Sequence, residues 1–259
     1  MLFLKLTIVP LFIALVTLAG RRWGTQLAGL LAGLPVVAGP IMVILALEQG
    51  TEFGVSAAIA AIAAVAALLG FGIAYAWASM YWRWPLALFS ALLVWFLLAS
   101  LLVYFSMNAG LSVLIALAAL LVTPKLLPPH TAQALVATSL KDLPGRMFAG
   151  ATLTILVSQM AFWLGGQWSG VLAAFPIIGS ILAVFTHMRQ GAMAVAQLYY
   201  GMVQGFYSFS LFFLVLAYGW PVWNFWVTLM VAIVAALALQ GLIKIGYKAV
   251  NTRALQKGI

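Results

Sequence analysis

Long apolar stretches, separated by short polar or charged segments, run through the whole chain. The hydrocarbon core of a bilayer is about 30 Å thick, so a helix needs roughly 20 apolar residues to cross it. On this basis we predict about nine transmembrane helices, at residues 2–20, 25–47, 53–79, 84–105, 108–123, 146–164, 167–188, 193–218 and 221–243. The fifth is short for a full crossing, and an embedded connecting helix is the alternative interpretation there.

The composition indicates that lipid is the surrounding solvent. Apolar residues make up 66% of the 259 residues and charged residues 6%, whereas an ordinary soluble domain carries about 25% charged residues. So few charged side chains cannot give a protein of this size a polar surface. We therefore predict an all-α polytopic membrane protein. The chain has no cysteine, which excludes disulfides, thiolate zinc sites and iron–sulfur clusters, and we predict no cofactor or metal.

The net charge of +9 predicts an orientation rather than nucleic-acid binding, because the chain contains no dense basic run. Lys and Arg accumulate on the cytoplasmic side of membrane proteins. Nine spans with a cytoplasmic C-terminus leave only Lys5 outside and place these residues inside: Arg21, Arg22, Arg83, Lys125, Lys141, Arg146, Arg189, Lys244, Lys248, Arg253 and Lys257. We therefore expect an integral protein of a bacterial inner (plasma) membrane with its N-terminus outside. The first stretch is expected to be a span rather than a cleaved signal.

The chain carries an internal repeat. A shift of 141 residues, the separation of Gln26 from Gln167, aligns two sets without a gap: Gln26, Gly29, Leu31, Ala32, Pro35, Val43, Gln49 and Gly50 with Gln167, Gly170, Leu172, Ala173, Pro176, Val184, Gln190 and Gly191. An odd number of predicted spans separates the two units, so they cross the membrane in opposite directions. We predict two inverted-topology repeats in a four plus one plus four arrangement. Residues 1–105 form the first repeat, 106–145 the connecting helix and cytoplasmic linker, and 146–259 the second repeat and cytoplasmic tail.

Two prolines predict broken helices. At 1.5 Å per residue, Pro35 and Pro176 each lie about 15 Å into a predicted span, near the bilayer midplane. Proline removes a backbone donor and clashes with the preceding turn, so a helix breaks there. Two such breaks, related by a pseudo-two-fold axis, would form a central polar cavity in which half-helix N-termini hold an anionic group.

Plain kinks and close helix packing are the alternative to a cavity, because Pro and Gly are common in membrane helices. Glycines four residues apart are typical of tight packing between helices or between two copies of a chain. The chain has three such pairs: Gly29 with Gly33, Gly166 with Gly170, and Gly201 with Gly205. A homodimer through these faces is therefore a further prediction.

The predicted substrate site combines the two breaks with a polar stripe on the eighth span. Positions spaced by three and four share one face of a helix, and hydrogen bonding between helices is the alternative role for that stripe. The predicted substrate-binding residues are Gln26, Gly33, Pro35, Gly39, Gln167, Pro176, Gly179, Ser180, Gln197, Tyr200, Gln204 and Tyr207.

Few side chains could couple transport to protons. Glu48 and His187 are the best candidates, although both lie near an interface, where an ordinary surface role is the alternative. Lys5 and Arg146 begin the two repeats. Each could steer anions toward an entrance of the site, or could simply place its charged group at the membrane surface. We group Glu48, His187, Lys5, Arg146 and Arg189 as predicted coupling or gating residues. Asp142 is expected to pair with Arg146, four residues on.

The chain lacks the motifs of an enzyme: it has no HExxH, no paired-acid motif and no cysteine nucleophile. The architecture resembles inverted-repeat secondary transporters as a broad class, because broken helices occur at matching positions in both repeats. That resemblance implies alternating access. We expect a small anionic or neutral amphiphilic solute as substrate, with proton coupling through Glu48. A lipid or lipid-phosphate translocase, then a passive channel, are the alternatives, and membrane lipids are the other expected partners.

Overall fold

The computed structural model describes residues 2–105, 108–129, 140–164 and 175–256, with side chains at 6–105, 108–129, 141–157, 159 and 175–243. Across these ranges the chain is helical and forms no strand. The helices are α1 (Leu2–Trp23), α2 (Thr25–Ala32), α3 (Ala38–Gln49), α4 (Thr51–Tyr81), α5 (Trp84–Tyr104), α6 (Ala109–Leu126), α7 (Leu143–Leu164), α8 (Ile177–Gln190), α9 (Ala192–Gly219) and α10 (Phe225–Gln256). A single 3-10 turn, Leu140–Asp142, precedes α7.

Six segments of the described chain are long and apolar enough to cross a membrane: Leu6–Trp23, Thr51–Tyr81, Trp84–Tyr104, Ala109–Leu126, Ala192–Gly219 and Phe225–Ile243. They confirm the prediction of an all-helical membrane protein. The fifth predicted span is among them, as a helix of 18 residues. The second, sixth and seventh predicted spans, which contain α3, α7 and α8, are not among these six, so the count of nine stays a prediction.

The outward surface of the bundle is apolar. Phe89 and Leu97 on α5 and Leu237 on α10 are exposed, although large apolar side chains seldom cover so much of a soluble protein. Exposed tryptophans stand near helix ends, at Trp82 before α5 and Trp223 before α10. Tryptophan prefers this level, where a membrane meets water. The surface is therefore suited to lipid.

Pro35 interrupts the second predicted span. Helix α2 ends at Ala32 and α3 begins at Ala38, where the Gly39 amide donates to the Pro35 carbonyl at 2.7 Å. Proline has no amide hydrogen, and among the described residues the amides of 36–38 have no backbone acceptor. The break therefore leaves backbone donors at the N-terminus of α3.

Single-residue glycine turns join three pairs of helices: Gly24 joins α1 to α2, and the other two turns are related by the repeat shift. Gly50 between α3 and α4 has φ 93° and ψ 161°, and Gly191 between α8 and α9 has φ 81° and ψ −177°. This region of the backbone map is essentially restricted to glycine. The two turns occupy equivalent positions at the predicted repeat shift, and each reverses the chain without a loop.

Helix α9 occupies the centre of the bundle, where it contacts α2, α4, α6, α8 and α10. Its backbone meets that of α2 directly. A side chain on Gly201 would collide with the backbone at Gln26 and Leu30, and one on Gly29 with the backbone at Leu198. Two of the predicted glycine pairs therefore pack against each other inside the chain. Gly166 and Gly170 lie outside the described residues, and the homodimer remains a prediction.

We predict that Gly201→Ala weakens the protein markedly. The added methyl group meets backbone atoms, which cannot move aside as a side chain can, and such overpacking costs about 1–3 kcal/mol. Gly241→Ala on α10 is the matched control, because a methyl group there meets nothing within 4 Å. Thermal unfolding of the detergent-solubilised variants should separate them. Equal stabilities would contradict the close approach of α2 and α9.

Candidate functional site

The break at Pro35 and the start of α8 after Pro176 lie beside one apolar cluster. Val9 and Ile13 of α1 form this cluster with Ile181 of α8, and all three are buried. Val37, from the break between α2 and α3, and Ile177, the first residue of α8, both pack against it. Pro176 directly precedes α8, and the Ser180 amide donates to its carbonyl at 2.8 Å. The structure therefore brings the N-termini of α3 and α8 to the same part of the bundle.

A phenylalanine lies near each of these N-termini. A Cβ atom on Gly39 would lie 3.2 Å from Cζ of Phe212 on α9, and one on Gly179 would lie 3.8 Å from Cε1 of Phe71 on α4. The two phenylalanines are themselves separated by the repeat shift. Ser180 is buried, and its hydroxyl has no hydrogen-bond partner among the described residues. These phenylalanine contacts leave little room around the start of either helix.

Three polar aromatic side chains meet between α4, α8 and α9, and we call them the tyrosine cluster. The ring centroids of Tyr75 and Tyr199 are 6.1 Å apart, and the His187 ring lies edge-on to Tyr75 at 6.0 Å. Both tyrosines are buried. Within the described part of the chain, neither tyrosine hydroxyl has a hydrogen-bond partner, and Nδ1 of His187 has none either.

The tyrosine cluster is energetically unusual. A buried polar group without a partner costs about 1–3 kcal/mol, and most such groups in proteins are paired. Here two phenolic hydroxyls and one imidazole nitrogen are unpaired in one place. Together with the Ser180 hydroxyl, they offer hydrogen bonds to a polar ligand inside an otherwise apolar bundle.

The predicted polar stripe on α9 faces a different direction from Tyr199. Successive residues of a helix are rotated by about 100°, so Tyr199 points away from the face that carries Gln197 and Gln204. Gln197 is buried and Gln204 partly buried, and Tyr200 packs partly buried against the core. Tyr207 donates to the Leu120 carbonyl of α6 at 3.1 Å. The stripe therefore does not include the tyrosine cluster.

The remaining predicted substrate residues divide between the break and the packing interface. Pro35 and Gly39 flank the break, whereas Gly33 packs against the backbone of Gly205. Gln26 is partly buried on α2. Gln167 lies outside the described residues.

Sequence reasoning missed Tyr75 and Tyr199. Tyr75 is the only residue with a hydroxyl group between Ser56 and Ser79 on α4, and that isolation in an apolar helix was a usable signal. Tyr199 gave no such signal, because Tyr200 beside it completes the three-and-four spacing. His187, for which a surface role was the alternative, faces Tyr75 instead.

Charged residues at the end of α1, the start of α7 and the end of α8 gather at one end of the bundle, which we call the basic end. Thr25 donates to Gln190 Oε1 at 2.9 Å, which joins the start of α2, after Arg21 and Arg22, to the end of α8. Asp142 pairs there with Arg189, at 2.5 Å between Oδ1 and Nη2. The charge of Asp142 also acts on Arg146, as expected, but its hydrogen-bonded ion pair is with Arg189, because the bundle brings the end of α8 to this carboxylate.

The other predicted coupling residues differ in their surroundings. Arg146 is buried rather than extended to the surface. Glu48 is exposed at the end of α3, close in sequence to Gly54 in the first turn of α4. Gly54 lies against Trp220, which follows the end of α9. Glu48 therefore lies at the opposite end of the bundle from the basic end. The side chain of Lys5 lies outside the described ones.

Comparisons of the chain with protein-family models, with curated proteins and with solved structures find no match. The geometry of the breaks, the tyrosine cluster and the basic end is therefore the basis for a functional proposal.

We predict that Tyr75→Phe leaves the stability of the protein unchanged or raises it. The substitution removes an unpaired buried hydroxyl and keeps the ring contacts. Tyr207→Phe is the matched control, because it loses the bond to Leu120 and should cost about 0.5–1.5 kcal/mol. Chemical or thermal unfolding in detergent measures both. A loss at Tyr75 as large as that at Tyr207 would mean that its hydroxyl has a partner.

Proposed function

We propose that the chain is a small secondary transporter that works by alternating access around a site between two inverted repeats. The observation that carries this proposal is the interruption at Pro35, together with the start of α8 directly after Pro176. Irregular backbone at membrane depth is tolerated where protein or a water-filled cavity covers it. In secondary transporters, paired interruptions of this kind form the substrate site.

The helix boundaries support the repeats. Helices α1 and α7 begin at Leu2 and Leu143 and are both 22 residues long. Helices α4 and α9 begin at Thr51 and Ala192, and α5 and α10 at Trp84 and Phe225. All three pairs have the separation of Gln26 from Gln167. Gly50 and Gly191 adopt the same rare conformation at equivalent positions.

The basic end supports opposite directions for the repeats. Helix α1 ends there, after Arg21 and Arg22, whereas α7 begins there, after Asp142. Helix α4 approaches it with Tyr75 beside His187, whereas α9 starts there, after the ion-paired Arg189. The directions of α1 and α4, opposite to those of α7 and α9, support the proposed four plus one plus four arrangement with nine spans.

The same charge distribution supports an orientation. Positive charge prefers the cytoplasmic side of a membrane. We therefore assign the basic end to the cytoplasm of a bacterial inner membrane, with the N-terminus outside and the C-terminus inside. Glu48 and Glu52 then lie at the outer surface.

In the proposed mechanism the two repeats rock around the breaks. The tyrosine cluster and Ser180 offer hydrogen bonds to a small anionic or neutral amphiphilic solute, and no chemical change of the solute is involved. Glu48 at the outer surface is the proposed proton carrier. His187 and Arg189 lie on α8, whose movement would expose the site to the basic end.

Paired single cysteines test the inverted topology, because the chain has none of its own. Leu47→Cys at the end of α3 and Met188→Cys at the end of α8 are matched positions, 57% and 53% exposed. We expect a membrane-impermeant maleimide to label the first only from outside and the second only from inside. Intact cells and inside-out vesicles give the two sides. Labelling of both from the same side would refute the inverted repeats.

Transport itself is tested in proteoliposomes with a panel of labelled small carboxylates, phosphate and neutral amphiphiles. We expect saturable uptake that falls at least about tenfold in Pro35→Ala and in Pro176→Ala, because a continuous helix closes the site. Pro85→Ala is the matched control, since Pro85 lies in the first turn of α5 and interrupts nothing.

Normal transport by both proline variants would contradict the broken-helix mechanism. Uptake that does not saturate would indicate a channel, and bleaching of labelled inner-leaflet lipid by dithionite would indicate a lipid translocase. In the same assay Glu48→Gln should remove any dependence on a pH gradient, while Glu52→Gln should retain it.

A further inference from the structure

Arg146 is an unusually buried cation. It lies in the first turns of α7 with 2% of its surface exposed, and it is the largest fully buried side chain in the described part of the protein. Burying a charge is strongly unfavourable unless the charge is paired and hydrogen-bonded. An arginine in this position therefore needs an anion.

The guanidinium of Arg146 presents one free edge. Its Cζ lies 4.9 Å from the centre of the Phe185 ring, which covers one face. Nε and Nη2, which together form the side edge of the group, have no hydrogen-bond partner among the described residues. This edge donates two parallel hydrogen bonds and matches the two oxygens of a carboxylate or phosphate.

Asp142 attracts the charge of Arg146 but forms no hydrogen bond with its Nε and Nη2 edge. Asp142 is the nearby carboxylate, but its Oδ1 pairs with Arg189. Its Oδ2 is buried and has no partner in the described part of the chain. The three side chains carry two positive charges and one negative charge, so one positive charge remains on the buried side of the ion pair.

We propose that the Nε and Nη2 edge of Arg146 binds an oxyanion, the carboxylate or phosphate group of a ligand that enters from the basic end. This inference rests on the proposed transport function and narrows its substrate to an anion. The Asp142–Arg189 pair closes the approach, because Arg189 is 56% exposed while Asp142 and Arg146 are buried. Opening that pair admits the anion.

Thermal unfolding of the purified protein in neutral detergent tests the site without requiring transport. Sodium phosphate and sodium acetate are titrated at an ionic strength kept constant with sodium chloride. Because a ligand of the folded state raises its stability, we expect a rise of at least about 2 °C in the wild-type midpoint. Arg146→Gln and Arg146→Lys should weaken the apparent affinity at least tenfold, since lysine lacks the paired donors.

Arg22→Gln is the matched control. Arg22 also lies over an aromatic ring, that of Trp23, but it is exposed, so its loss should leave the anion response intact. Without added anion, Arg146→Gln should melt no lower than the wild type, because it removes an unpaired buried charge. A variant that fails to fold would therefore overturn the proposal, as would an anion response that is absent or independent of Arg146.

A second experiment, in nanodiscs, distinguishes a lipid headgroup from a soluble anion as the source of the oxyanion. Stabilisation by phosphatidylglycerol over phosphatidylcholine that requires Arg146 would identify a lipid headgroup. Stabilisation by phosphate or acetate alone would identify a soluble anion. Binding of either without uptake in proteoliposomes would leave the anion site in place and refute transport.

Discussion

Hydrogen bonding of the backbone in a solvent without water is the constraint on which the rest of this fold depends. Each amide left unpaired in hydrocarbon costs several kcal/mol, so a chain of this composition folds into helices and interrupts them only where protein covers the gap. Helices α1, α8 and α9 pack against the break at Val37 and Gly39, whereas Val36 is 44% exposed. The free amides of residues 37 and 38 consequently lie against the core of the bundle.

Helix α2 packs closely on α9 up to the start of that break, where Gly33 meets Gly205. Gly201 and Gly205 allow the backbone of α2 to approach within direct contact, and small residues supply much of the attraction between membrane helices because lipid provides no hydrophobic drive. Helix α2 is therefore packed tightly on α9, whereas α3, beyond the break, packs on α4.

Electrostatics concentrates at one end of the molecule. Arg189 and Asp142 form an ion pair at the rim, and Arg146 lies behind it with an unpaired edge. The tyrosine cluster lies deeper, along α8, through His187. Unpaired polar atoms therefore occur along α8 from His187, near the basic end, to Ser180, near the start of that helix.

The sequence by itself determined that the chain is a helical membrane protein, that a helix breaks at Pro35, and that another begins after Pro176. These features are local, because they follow from apolar length and from the covalent geometry of proline. Only the tertiary structure decided that Tyr199 rather than Tyr200 enters the interior and that Asp142 forms its hydrogen-bonded ion pair with Arg189 rather than Arg146. Helix α4 is apolar on nearly all sides and α9 carries tyrosines on more than one side, so their composition does not distinguish a lipid-facing side from a buried one. A difference of one residue rotates a side chain by about 100°, and long-range contacts between helices alone select its direction.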